Sequence, residues 1–247
     1  MLTDAYNIFI KYAPFLWMGT LSTLLLSFTG TIIGAVIGFI TGAIRTTPYS
    51  DKAFVRFIQK IINFLIAIYV EVFRGTPMMV QSMVIYWGYA FAHGGETLDL
   101  TLSGILIISI NTGAYMTEIV RGGIISIDPG QSEGAASIGM THWQTMLKVV
   151  FPQVLRNIIP ATSNELLNNI KDSSVLNVIG VTELFFYSGM IKRKSFMVFQ
   201  TYIVICVIYL IITFTVTQIL RKCEKLLDGD ENFQIVRAAE VVKKKED

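Results

Sequence analysis

Charge is scarce in this chain. Asp, Glu, Lys and Arg make up 15% of its 247 residues, where a soluble domain carries about a quarter. That shortage excludes an ordinary water-soluble globule. Histidine is nearly absent as well: His93 and His142 stand far apart in polar loops, so no histidine-based metal centre is expected. The two cysteines, Cys206 and Cys223, lie in and just past an apolar run. They fit neither a metal pattern nor a disulfide framework and read as packing residues. No GxxxxGK[ST] stretch occurs to cradle nucleotide phosphates, and no HExxH or GxSxG occurs. With no catalytic constellation the chain is not expected to be an enzyme, and no cofactor or metal is expected on it. Any energy that it uses must come from another chain.

What the sequence does hold is apolar and grouped. Hydrophobic residues are 53% of the total and the mean hydropathy is +0.57. Five stretches, near 15–44, 61–91, 102–120, 158–180 and 196–220, approach the roughly 20 apolar residues that cross a bilayer. Each span must satisfy its own backbone hydrogen bonds, so the expected class is an all-α integral membrane protein of about five transmembrane helices. The opening "MLTDAYNIFIKYAPF" has neither a positive n-region nor a small-residue cleavage site, so the first span is expected to be retained as a helix.

Basic residues set the expected orientation. Arg45, Lys52, Arg56 and Lys60 follow the first span, Arg121, Lys148 and Arg156 flank the third loop, and seven more follow from Arg221 onward. The opposite face has Lys11, the segment "HGGETLDL", and Lys192, Arg193 and Lys194. The positive-inside rule then places the N-terminus outside and the C-terminus in the cytoplasm, with the 192–194 cluster running against the rule. The expected division is a transmembrane domain over 1–222, with a cytoplasmic loop near 122–157, and a charged cytoplasmic tail over 223–247.

Within the spans, Gly30, Gly34, Gly38 and Gly42 repeat every four residues. That is a stripe of bare backbone against which another helix packs closely. In "EVFRGTPMMVQ", Pro77 removes a hydrogen-bond donor and Gly75 loosens the helix, so a break is expected there. Glu71 and Arg74, three residues apart, are expected to neutralise each other.

The cytoplasmic loop contains "GQSEGAASIGM" at 130–140. Gly130 is expected to break the chain, Glu133 to sit in the first turn of a short helix, and Gly139 to end it. The surface of Gly134, Ala135, Ala136 and Ser137 is small, which suits a knob seated in a partner's groove. A second helix over "THWQTMLKVVF" is expected, with Pro152 and Pro160 framing the return to the membrane.

These residues resemble the cytoplasmic loop of ABC-transporter importer permeases, whose pattern is E-A-A, three residues, G, nine residues, I-x-L-P. Here Glu133-Gly134-Ala135 precedes Gly139 by three residues, and nine more lead to Val149-Val150-Phe151-Pro152. Gly134 stands where the family has its first alanine. "EVFRGTPMMVQ", "NTGAYMTEIVRGGIISIDPGQ", "FPQVLRNIIPA" and "KDSSVLNVIG" narrow the likeness to the polar amino acid permeases. The resemblance implies a type I importer permease fold in a prokaryotic inner membrane. Its implied partners are a second permease subunit, two ATP-binding cassette ATPase subunits that carry the ATP and Mg, and an extracytoplasmic solute-binding protein. It further implies that Glu133, Gly134, Ala135, Ala136, Ser137, Gly139 and Met140 couple the permease to the ATPase. A secondary transporter or channel for a small polar solute is the alternative.

Polar residues within the spans mark a candidate substrate path. Asn164, Asn168, Lys171 and Asp172 share one face of the fourth span, and Glu165, Asn169 and Asp172 a neighbouring one. Asn111 and Tyr115 lie one turn apart in the third span. Asn and Tyr offer donors and acceptors for a zwitterion, and Glu165 favours a basic side chain. An interface between helices is the competing reading for these asparagines. No nucleic-acid partner is expected.

Overall fold

The computed structural model describes residues 1–228. It is built of helices: α1 (Leu2–Thr46), α2 (Ala53–Gly75), α3 (Met78–Ala92), α4 (Leu100–Ile125), α5 (Pro129–Ser137), α6 (His142–Thr145), α7 (Phe151–Asp172), α8 (Leu184–Ser195) and α9 (Val198–Asp228). Helices α1, α2, α4 and α9 are long and apolar enough to cross a membrane, and a bent run from His142 to Ser195 supplies a fifth crossing.

Helix α1 begins thirteen residues before the expected span. Its 45 residues make it about 67 Å long at 1.5 Å per residue, roughly twice the ~30 Å hydrocarbon core. The extension is held by packing: Ala5, Ile8, Tyr12 and Leu16 recur on one face and bury against Leu184, Ile191, Val204 and Ile205 of α8 and α9. Lower down, α1 runs parallel to α4, and the glycine stripe is the contact. Gly30 abuts Ile108, Gly34 abuts Thr112, Gly38 abuts Met116 and Gly42 abuts Val120. A Cβ on Gly34 would lie 2.6 Å from the Thr112 Cβ, and one on Gly42 2.8 Å from the Thr117 carbonyl, so only glycine allows this approach. Near the C-terminal end of α1 Thr41 bonds Thr117 at 2.6 Å. There Glu118 joins Arg45 of α1 to Arg121 of its own helix.

The expected break occurs at Thr76–Pro77, which divides the second span into α2 and α3. The fourth span departs from the single helix expected over 158–180. Thr141 and Gln144 form a reciprocal cap that opens α6. A π turn over Met146–Val150 then leads into α7, where the Phe151 N–H reaches back five residues to Met146. Pro152 has no N–H to give, and the wider turn accommodates it. The Val149 carbonyl is taken by the Gln153 side chain at 2.8 Å. Pro160 lies inside α7 and marks no boundary. Beyond Asp172 the chain tightens into a 3₁₀ turn over Ser173–Ile179 and reverses twist at Gly180, with φ +93°. It then departs along α8 at 56° to its earlier course. Helix α9 continues through Asp228, past residue 222. The rest of the expected charged tail, 229–247, lies outside the described residues.

Candidate functional site

Two regions are built for work, one in the loop between α4 and α7 and one where the two helix breaks meet. In the loop, Asp128 caps α5 by accepting from the Gly130 N–H at 2.8 Å, and Pro129 fills the first helical position. Gly130 therefore lies within the helix and does not break the chain. Glu133 stands past the first turn, which holds no acidic residue. Gly139, at φ +81°, ends the element as expected.

Of the seven coupling candidates, Glu133, Gly134, Ala136, Ser137 and Gly139 are exposed, Met140 is half-buried, and Ala135 is buried at 5% exposure. Ala135 is thus the inward anchor of α5. Gly134 differs: a Cβ there meets nothing within 4 Å. Packing within the chain therefore does not require so small a residue there. Beside it Ile138, Trp143 and Leu147 are 78%, 68% and 61% exposed. The sequence reading passed over them, although the four-residue spacing of Trp143 and Leu147 marks an outward apolar stripe.

Within the bundle the two helix breaks meet. Met78, at the start of α3, packs on a core of Leu176, Ile179, Val181, Ile107 and Ile108. The first break is closed by Gln81, whose amide donates to the Phe73 carbonyl at 2.9 Å and the Thr76 carbonyl at 2.8 Å. Asn111 in turn donates to the Gln81 oxygen at 2.9 Å. The second break is closed by Glu183, which was not among the expected residues. Fully buried, it accepts from the Phe185 and Phe186 N–H groups at 2.8 and 2.7 Å and from the Tyr209 hydroxyl at 2.9 Å. Its signal in the sequence is an acid three residues after Gly180, placed to cap the next helix. Such caps allow backbone to break at membrane depth.

The expected substrate residues divide into three groups. Asn111 is buried, with its amide spent on the α2–α3 break. Tyr115 is half-buried and has the Arg74 guanidinium 5.5 Å from its ring centroid. Glu71 and Arg74, expected to pair, form no ion pair with each other: Arg74 lies over the ring instead. Asn164, Asn168, Lys171 and Asp172 line the exposed side of α7 with half-buried Glu165 beside them, and Lys171 donates to Asn168 at 3.2 Å. Asn169 points the other way. Its amide donates to Thr31 and Thr112 at 2.8 Å each, tying α7 to α1 and α4. One helix face therefore gathers five of the seven candidates, and no hydrogen bond joins them to Asn111 or Tyr115.

An α7 face so polar cannot rest against lipid. A chain with broken helices, a polar face on a spanning helix and a small-surfaced helix in the loop between spans has the parts of a transport subunit. Residues 52–223 match the family described as binding-protein-dependent transport system inner membrane component. The chain belongs to this family.

The permease is 35% identical over 212 residues, 86% of its length and 92% of the relative's, to the glutamine transport system permease protein GlnP of Escherichia coli (strain K12). It is 33% identical over 219 residues, 88% of each chain, to the L-cystine transport system permease protein TcyB of Bacillus subtilis (strain 168). A solved structure described as an amino acid ABC transporter with histidines superposes at a TM-score of 0.74. It shares 34% identity and covers 87% of this chain and 95% of that one. The MetNI methionine ABC transporter shares the fold at 17% identity and a TM-score of 0.66. The importer permease family expected from residues 133–152 is the one that these comparisons return.

Proposed function

We propose that this permease is the membrane subunit of an ATP-driven importer of polar amino acids. It pairs with a second permease subunit across the polar face of α7, and receives substrate from an extracytoplasmic binding protein. ATP and Mg reside on ATPase subunits beneath it, and α5, from Glu133 to Met140, seats in a groove of the ATPase. The single observation that carries this reading is Gly134, a bare helix position with open space above it. It sits on a small-surfaced helix anchored from behind by Ala135. Rocking of the ATPases then moves α5, and the π turn and α7 carry that motion toward the breaks at mid-membrane. The N-terminus lies outside and the tail in the cytoplasm, a placement supported by the basic residues at 45–60, 121–156 and from Arg221 onward.

The amino acid class is supported by the relatives named for glutamine and cystine. The exposed α7 residues supply donors and acceptors for a zwitterion, and Glu165 is a carboxylate placed to favour arginine, lysine or histidine over glutamate. The test is uptake by the reconstituted permease, ATPase and binding protein in liposomes, using labelled arginine, lysine, histidine, glutamine, cystine and glutamate. ATP-dependent accumulation of a basic amino acid supports the full reading. Preference for glutamine or cystine retains the importer and removes the role given to Glu165, and uptake indifferent to ATP removes the importer.

A further inference from the structure

Arg74 occupies the last turn of α2, next to Gly75 and the break. Its neighbours fix its depth. Tyr69 donates its hydroxyl to the Ile110 carbonyl, and Asn111 lies over the Phe73 carbonyl at 3.4 Å. The end of α2 therefore rests against the middle of α4, not at either end of it. An arginine at the bilayer centre costs about 2.5–3.5 kcal/mol even on insertion scales, and its guanidinium does not deprotonate. No carboxylate of the described residues lies within ion-pair distance of it, and Glu71, one turn back, is also exposed and without an ion pair. The guanidinium instead rests 5.5 Å from the Tyr115 ring centroid, a cation–π contact that orients it. Beneath it, the Gln81 and Asn111 amides fix the backbone from Phe73 to Thr76. A permanent charge is thus held in a set direction at membrane depth, at the surface of the protomer, with no ion pair among the described residues: the Glu118 carboxylate attracts it from a distance but is bonded by Arg45 and Arg121.

A guanidinium presents paired N–H donors that match a carboxylate in two parallel hydrogen bonds. We propose that Arg74 binds the α-carboxylate of the transported amino acid, with Tyr115 holding the guanidinium in place. This rests on the amino acid importer reading and adds the residue that recognises the part common to every such substrate. It also gives the broken span a purpose, since the break sets the reach of Arg74.

Equilibrium binding to the purified permease–ATPase complex, without binding protein, tests the proposal. The probes are labelled L-glutamine and L-arginine, each beside its α-carboxamide. Wild type is expected to bind the better acid at least about tenfold more tightly than its carboxamide, as loss of a charge-assisted pair implies. Arg74→Gln should weaken the acid to the level of the carboxamide and leave the carboxamide unchanged, and Arg74→Lys should fall between. An unchanged acid-to-amide ratio in Arg74→Gln overturns the proposal, as it does if Arg74 answers a carboxylate of the second permease. Equal loss of both probes assigns Arg74 a structural role and overturns it too, and so does a wild type that binds neither or shows no preference. In each of these cases ATP-driven uptake by the wild-type importer persists. Absence of that uptake defeats the importer reading and the proposal with it.

Discussion

Asn169 of α7 donates a 2.8 Å hydrogen bond to Thr112 of α4, and a second of equal length to Thr31 of α1. Three spans are joined by one amide. Intramembrane hydrogen bonds of this kind contribute about 0.6 kcal/mol each and up to about 1.7. Asn169→Leu is therefore expected to lower the melting temperature of the purified permease by a few degrees, and Asn168→Leu, on the exposed face, to leave it unchanged. Differential scanning fluorimetry in detergent checks the contrast, and equal effects would refute it.

Two glycines of equal size should answer oppositely to alanine. A Cβ at Gly34 falls 2.6 Å from the Thr112 Cβ and 3.0 Å from the Ser109 carbonyl. Overpacking of that kind costs about 1–3 kcal/mol, so Gly34→Ala should reduce thermal stability and yield of folded protein. Gly134→Ala meets open space and lies within a helix, where alanine is favoured by up to about 1 kcal/mol. Its stability should hold or rise, as thermal unfolding will record.

The Glu183 cap gives a graded prediction. Glu183→Gln keeps one acceptor oxygen and turns a donor NH2 toward the donors served by the other, whereas Glu183→Leu leaves the Phe185 and Phe186 N–H groups and the Tyr209 hydroxyl with no acceptor from this side chain. Each orphaned donor costs about 1–3 kcal/mol. Melting temperatures should fall in the order wild type, Gln, Leu, with the Leu variant poorly folded.

How much of this was legible beforehand follows from the range of each interaction. The glycine stripe and the Pro77 break were readable because both are written within a dozen consecutive residues. The early start of α1 was not. Asp4 and Lys11 make it look like a polar flank, and only α8 and α9, far along the chain, supply the surface for Ala5, Ile8 and Tyr12. The bend after Asp172 was missed because the expected span runs as one helix to residue 180, while the chain tightens from Ser173 and Gly180 takes a left-handed conformation before the Glu183 cap. At the candidate site, spacing placed Asn164, Asn168, Lys171 and Asp172 on one face. The same spacing could not reveal that Asn111 is spent on Gln81, thirty residues away, or that Arg74 turns from Glu71 to Tyr115.

For selectivity, Glu165 is the residue to change. If it receives a basic side chain, Glu165→Gln should cut uptake of arginine or lysine about tenfold, the worth of one charge-assisted hydrogen bond, and spare glutamine. A uniform loss across the panel would assign Glu165 a structural role on α7.

The central claim is that α5 transmits force from an ATPase, and Gly134→Trp tests it most directly. The bulky side chain enters the space that Gly134 leaves open, so the permease should fold with an unchanged melting temperature while ATP-driven uptake in liposomes falls to background. Full ATP-driven uptake by this variant would contradict the account, because it would mean that nothing seats against Gly134.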